Sequence, residues 1–129
     1  MFLLPVSLTT AAAAALINFW LGLRISQVRS AEKIWTGDGG NARLVARMRA
    51  QLNFAEYAPM VLILLALVEL ARGPNLYLWI AALVFVLGRV LHAIGMDGWR
   101  IGRMVGILST MLVMLGLAIY AALLAYRVV

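Results

Sequence analysis

Five charged or polar residues lie within otherwise apolar segments of the sequence and are spaced for chemistry. Arg49, Asn53 and Glu56 stand at offsets of four and seven residues, which places them on one face of a helix. Arg89 and His92 share one face of a later helix in the same way. A charged group inside a membrane span costs about 2.5–3.5 kcal/mol on insertion scales, so each requires a partner or a function. These residues are therefore the candidates for a polar pocket.

Metal chemistry has few possible ligands in this chain. There is no cysteine and there is a single histidine. Without cysteine there is no disulfide, thiol nucleophile or thiolate metal site, and one histidine is too few for a typical zinc or haem site. Asp38, in the glycine-rich segment 37–40, supplies one carboxylate and falls far short of the ligand set of a calcium loop. We expect no metal centre.

The composition predicts the elements that position these residues. Of 129 residues, 65% are hydrophobic and 12% charged, against roughly 45–50% and about 25% in soluble domains. A membrane span needs about 20 apolar residues, and four segments qualify, at about 2–25, 51–71, 76–96 and 104–126. The sequence therefore predicts one all-α integral membrane domain over 1–129, a four-helix antiparallel bundle. The short last two connections make their neighbours antiparallel, which brings the two polar faces to similar depth.

The basic residues predict the orientation of the bundle. The chain has 11 basic and 5 acidic residues, a formal net charge of +6. Only Arg72 and Arg127 lie away from the first and third connections; the others are Arg24, Arg29, Lys33, Arg43, Arg47, Arg49, Arg89, Arg100 and Arg103. Positive residues concentrate on the cytoplasmic side, so both termini are expected to be non-cytoplasmic. The basic residues are not interleaved with aromatic ones, and no nucleic-acid partner is expected.

Spacing alone does not decide whether these polar residues have a structural role or a binding role. Glu56 could pair with Arg49 or Arg89 to neutralise buried charge and to fix the helix register. His92 could be a hydrogen-bonded structural residue. Each of these hypotheses competes with a binding role.

Four further residues have a simpler interpretation. Glu69 and Arg72 lie near a helix end, which favours a solvated surface role at the far interface. Gly102 and Gly106 have the small-xxx-small spacing that lets helices approach closely, so packing is expected of them.

The segment 49–59, RAQLNFAEYAP, followed by the segment 88–92, GRVLH, resembles the MAPEG family, the membrane-associated proteins in eicosanoid and glutathione metabolism. The turn at 36–40 and the helix ending at 27–29 resemble its small bacterial inner-membrane branch. The resemblance covers nearly the whole chain. It implies a four-helix membrane bundle that assembles as a homotrimer, with glutathione bound between neighbouring subunits at the cytoplasmic side.

The resemblance also implies roles for individual residues. The matching positions hold glutathione, with Glu56 accepting from its α-amino group; they are Arg29, Arg49, Asn53, Glu56, Arg89 and His92. Arg103 matches the fourth-helix arginine that stabilises the thiolate in catalytic members. Glutathione carries two carboxylates, an ammonium group and a thiol that must ionise, so its site needs several cations, a carboxylate and a cation near sulfur.

The implied function is that of a glutathione S-transferase or peroxidase, with glutathione as co-substrate and hydrophobic electrophiles as the second substrate. Met96 and Ile107 stand where catalytic members often have tyrosine, and Leu52 replaces a basic residue of the eicosanoid synthases, which weighs against prostaglandin or leukotriene synthesis. One alternative is a non-catalytic MAPEG-like binding or scaffold protein. Another is a small proton-coupled multidrug-type transporter using Glu56, although the first span has no acid where that function expects one.

Overall fold

The computed structural model describes residues 3–129, and this part of the chain folds into four α-helices without a strand. Helix α1 covers Pro5–Glu32, α2 Ala42–Arg72, α3 Leu76–Gly95 and α4 Arg100–Ala125. Each helix is long and apolar enough to cross a membrane. The predicted all-α membrane architecture is therefore confirmed. The predicted start of the first span, residue 2, lies outside the described residues.

Helices α1 and α2 are longer than the predicted spans. They have 28 and 31 residues, which at 1.5 Å per residue makes each more than about 40 Å long, against a hydrocarbon core of about 30 Å. The additional turns carry the polar residues on either side of the α1–α2 connection. The arginines of this region therefore lie on helices that extend past the apolar layer.

The helices form a bundle in which α2 and α3 occupy the middle. Each of these two helices contacts all the others, whereas α1 and α4 do not contact each other over the described residues. The core between them is apolar, with Val61, Leu65 and Phe85 fully buried. Large apolar side chains such as Leu16 and Leu112 are exposed on the outside, as expected of helices that face lipid.

Glycines bring α3 and α4 into close contact. A Cβ atom at Gly106 would lie 2.4 Å from the backbone nitrogen of His92, and one at Gly95 would lie 2.1 Å from the backbone nitrogen of Arg103. The packing role predicted for Gly106 is therefore confirmed. Gly102 differs, because the space its missing Cβ leaves is taken by the ring of Trp99 from the start of the same helix.

The N-termini of α1, α2 and α3 obtain side-chain acceptors in two ways. Asn41 and Asn75 cap α2 and α3 with their own side chains. Helix α1 has no such cap, and Glu69 of α2 replaces it: its two carboxylate oxygens accept from the backbone nitrogens of Val6 and Ser7 at 2.9 and 2.7 Å. Unpaired N–H groups and the positive end of the helix dipole favour a carboxylate here. The predicted solvated role of Glu69 is wrong, since its side chain is fully buried.

Candidate functional site

The two polar faces predicted on the second and third spans meet in the structure. Between α2 and α3 lies a cavity of about 200 Å³. Its lining consists of Arg49, Leu52, Asn53 and Glu56 from α2, of His92 from α3 and of Met96, the residue that follows α3. Helical spacing fixed each face, and the antiparallel packing of the two helices brought them to the same depth.

Arg89 lies behind this cavity and is fully buried. Its Nη2 donates to Asn53 Oδ1 at 2.7 Å and contacts His92 Nδ1 at 3.0 Å, and its Nη1 donates to Thr110 Oγ1 at 3.3 Å. All three partners are neutral groups, and Nε has no hydrogen-bond partner in the part of the chain that the structure describes. A buried cation without a carboxylate beside it is electrostatically costly. Arg89 contacts two of the lining residues, Asn53 and His92, so its charge lies directly behind the cavity wall.

The contact between Arg89 and His92 fixes the state of the imidazole. A guanidinium has donors only, so Nδ1 of His92 must accept and Nε2 must carry the proton. His92 is neutral in this arrangement and lines the cavity with a defined tautomer. Its Nε2–H is then a hydrogen-bond donor that a bound acceptor could use.

Arg49 and Glu56, the charged residues of the cavity, are exposed and carry no internal partner. Neither forms a hydrogen bond or an ion pair among residues 3–129. The two stand two helical turns apart, about 10 Å along the axis, and Arg89 uses Asn53 as its acceptor instead of Glu56. The structural ion pair between Glu56 and either arginine is therefore not formed.

Arg29 lies on the other side of α2, in a separate cavity. That cavity, between α1 and α2, has a volume of about 670 Å³ and shares Arg49 and Leu52 with the polar cavity. The Arg29 guanidinium donates to the carbonyl oxygens of Ile34 and Gly37 at 3.1 and 2.9 Å. The structure therefore does not bring Arg29 together with Asn53 and His92 within one chain.

Arg103 lies on the first turn of α4 and does not line the polar cavity. Its backbone packs against Gly95, one turn beyond His92. The residue is exposed, and its side chain makes no hydrogen bond or ion pair within the described chain. The position is near the histidine, but the direction of the guanidinium is not fixed by contacts.

The chain as a whole matches a known protein family. The model of the MAPEG family matches residues 7–123. The chain belongs to the MAPEG family. Two relatives from Escherichia coli strains, each called inner membrane protein YecN, are 27% identical to it over 90 residues, which is 70% of this chain and 69% of theirs. The matched range of the family includes every candidate residue named above.

This MAPEG protein also has a charged cluster that the spacing of polar residues did not predict. Asp97, in the α3–α4 connection, forms an ion pair with Arg24 of α1 and accepts from Arg47 Nε of α2 at 3.4 Å. Arg24 also donates to the carbonyl of Ala93 at 2.9 Å and lies over the ring of Trp20. The cluster joins three helices at one end of the bundle. Its only signal in the sequence is a lone acid in a connection that arginines flank.

The surroundings of Asp97 act on its pKa in opposite directions. Partial burial raises the pKa, whereas the hydrogen bond from Arg47 and the charge of Arg24 lower it, and the net pKa lies below its usual value of 3.8. The two arginines therefore keep Asp97 ionised well below neutral pH.

Proposed function

We propose that this MAPEG protein binds glutathione in the polar cavity between α2 and α3 and uses it as a co-substrate against hydrophobic electrophiles, as a glutathione S-transferase or peroxidase. The observation that carries the proposal is the unbalanced charge of the cavity. Arg89 supplies a buried cation without a carboxylate partner, and Arg49 and Glu56 stand unpaired at the opening. A zwitterionic ligand with two carboxylates and one ammonium group complements this set.

Each charged group of the cavity has a role in the proposal. Arg49 binds a carboxylate of glutathione, and Glu56 accepts from its α-amino group. Arg89 holds Asn53 and His92 in place, so that the amide and the Nε2–H of the imidazole face the ligand with fixed geometry. Arg29 also binds glutathione, from the neighbouring cavity. The two cavities are adjacent, because Arg49 and Leu52 line both of them.

Arg103 is the proposed activator of the thiol. A cation near sulfur lowers the pKa of a thiol from about 8.5. Its exposed side chain on α4, where the backbone packs against Gly95 one turn beyond His92, has no competing partner in the described chain. In transfer, the thiol proton leaves to solvent, the thiolate forms a bond to the electrophilic carbon, and the leaving group departs with its electron pair. In peroxidase chemistry, two glutathione molecules reduce a hydroperoxide to an alcohol and water and become the disulfide.

A homotrimer is part of the proposal, because a single chain exposes polar side chains at membrane depth. Glu56 lies sixteen residues before the end of α2 at Arg72, which is about 24 Å into the bilayer from that end. Asn18 is exposed in the middle of α1. Polar groups that face lipid are costly, and a neighbouring copy would cover them while closing the cavity. The protein is a multi-pass protein of the bacterial inner membrane, given its four apolar helices and the inner membrane proteins that it resembles.

Binding of glutathione to the solubilised protein tests the proposal directly. Native mass spectrometry in detergent should detect a trimer with bound glutathione. Glu56→Gln and Arg49→Ala should each weaken binding by about 2–5 kcal/mol, the cost of breaking a buried hydrogen-bonded charge pair in the assembled protein. Arg43→Ala is the matched control, because Arg43 is another exposed arginine of α2 and lies outside the polar cavity. Normal binding with loss of the trimer in either variant would assign these residues to assembly instead.

A non-catalytic glutathione-binding or scaffold protein is the second candidate, and Met96 favours it. Met96 lines the cavity where catalytic relatives often have tyrosine, and a thioether cannot donate a hydrogen bond to sulfur. The two candidates share the binding step and differ in thiol ionisation. The transporter hypothesis has less support, because the only acid of α1 is Glu32 at its last residue.

A further inference from the structure

An apolar groove lies at the opposite end of the bundle from the polar cavity, where α2 ends and α3 begins. It has a volume of about 630 Å³ and runs between α3 and α4. Its lining is mostly apolar and includes Leu112, Val113 and Leu117, and its end carries Arg72 and Tyr120. The glutathione proposal uses none of these residues.

Gly116 leaves open space in the groove. A Cβ atom at this position would meet no atom within 4 Å, so the glycine leaves open space where other residues of α4 carry side chains. Leu112 and Tyr120 stand eight residues apart on α4, about 12 Å along the axis, which approaches the depth of one leaflet of a bilayer whose hydrocarbon core is about 30 Å. The length of the groove along α4 is therefore comparable with the depth of the acyl chains in one leaflet.

Arg72 brings an unneutralised charge to the end of the groove. Its Nε donates to Tyr120 Oη at 3.3 Å, and its two terminal nitrogens make no hydrogen bond within residues 3–129. Glu69, one turn earlier, is occupied by the N-terminus of α1. Glu56 lies more than four turns away, and the other acids of the sequence, Glu32, Asp38 and Asp97, lie at the other end of the bundle. Within residues 3–129, no acidic side chain therefore serves as a counter-ion for Arg72.

We propose that this groove binds an anionic phospholipid of the leaflet that surrounds the α2–α3 connection. The phosphate accepts from the terminal nitrogens of Arg72 and from the hydroxyl of Tyr120, which accepts from Arg72 and keeps its own proton to donate. One acyl chain lies over Gly116 between Leu112 and Leu117. The site is independent of glutathione and holds the lipid as a bound ligand of the bundle.

Lipid titration followed by native mass spectrometry tests this site. The detergent-purified wild type should retain dioleoyl phosphatidylglycerol more tightly than dioleoyl phosphatidylcholine. Arg72→Gln should weaken phosphatidylglycerol binding about fivefold, the effect of one basic residue near an anionic headgroup, and should reduce the preference over phosphatidylcholine. Gly116→Leu should remove the bound lipid by filling the groove. Soluble glycerol phosphate should not compete, because it lacks the chain.

Matched variants separate the site from general effects of charge and size. Arg127→Gln removes the other arginine at this end of the bundle, and Ala118→Leu adds the same side chain at an exposed position of α4 outside the groove. Both should bind lipid like the wild type. The proposal is overturned if Arg72→Gln matches Arg127→Gln, if correctly helical Gly116→Leu keeps its lipid, or if Gly116→Leu changes only the oligomeric state because a second copy covers the groove.

Discussion

Arg89 is the residue on which the polar cavity depends. It is fully buried, and Asn53, Thr110 and His92 supply neutral acceptors but no opposite charge. Hydrogen bonds reduce the cost of burying the cation but leave its field in place. A ligand carboxylate in the cavity would gain from that field in surroundings of low dielectric. The family match extends over this position.

Glu69 shows the opposite solution for a buried charge. Its carboxylate accepts three hydrogen bonds, two from backbone nitrogens of α1 and one at 2.6 Å from the Ser7 hydroxyl. The charge is compensated by the helix terminus, and no pocket is needed. A buried ionisable residue in this protein is therefore a site candidate only where its partners leave charge or donors unmatched.

Titration of the thiol of bound glutathione tests whether Arg103 activates it. With glutathione bound, the wild type should absorb as thiolate near neutral pH, because a nearby cation lowers the pKa of the thiol from about 8.5. Arg103→Ala should raise that apparent pKa and slow transfer to an aryl halide, with little change in glutathione affinity. Ultraviolet absorption of the thiolate and single-turnover transfer are the measurements.

The control for this prediction is Arg100→Ala, since Arg100 is an exposed arginine one turn earlier on the same helix. It should leave both the thiol pKa and the transfer rate unchanged. A wild type that forms no thiolate, or an Arg103→Ala variant that reacts as fast as wild type, would favour the non-catalytic candidate.

Substitution by alanine should have opposite effects on stability at two glycines of α4. At Gly106 an added Cβ would lie 2.4 Å from the His92 nitrogen and 2.5 Å from the Gly88 oxygen, both backbone atoms. Gly106→Ala must therefore separate α3 from α4 and should lower the free energy of unfolding by about 1–3 kcal/mol. Gly116→Ala meets nothing within 4 Å and should raise it by up to about 1 kcal/mol through helix propensity. Unfolding in mixed micelles, followed by circular dichroism, measures both; equal effects would contradict the close packing.

Asp97, in the connection between α3 and α4, should make the stability of the protein sensitive to acid. The pKa of Asp97 is lowered below 3.8 in the folded state, so folding favours its ionised form. The stabilisation from its pairing with Arg24 and Arg47 is fully present above about pH 4. It is lost as the pH falls through the lower, folded-state pKa. The free energy of unfolding should therefore decline with acidification in that range.

Asp97→Asn is the comparison variant for this pH dependence. It should be less stable than wild type at neutral pH, because it leaves two nearly buried arginines without their carboxylate. The difference between the two proteins should shrink as the pH falls below 4. If the free energy of unfolding of wild type and variant changed with pH in parallel, Asp97 would not be the source of the acid sensitivity.

The orientation of the whole molecule follows from its charge distribution and can be measured by labelling. Cysteines at Thr36, in the α1–α2 connection, and at Ile101, on the first turn of α4, should react only from the cytoplasmic side. A cysteine at Pro74, in the α2–α3 connection, should react only from the other side. All three residues are exposed, and the absence of native cysteine leaves no background. Labelling of Pro74→Cys from the cytoplasm would reverse the orientation and place the polar cavity on the outer side.

Much of the fold and part of the site could be predicted from sequence, because these features depend on local spacing. Apolar segments of sufficient length determine four membrane helices. Offsets of three, four and seven residues determine which side chains share a face, as for Arg49, Asn53 and Glu56. The spacing of Gly102 and Gly106 likewise pointed to close packing, which Gly106 provides.

The tertiary structure decided every pairing between helices, because such pairings depend on how each helix is rotated and at what height it packs. Glu69 and Ser7 are 62 residues apart in sequence, and Arg24 and Asp97 are 73 apart, so no periodicity connects them. The same reason applies to Arg29. Its place near the end of the first helix was predictable, but its separation from the polar cavity by α2 was not predictable. Helical geometry is set by neighbours along the chain, whereas the partners of a buried charge are set by the packing of the whole bundle.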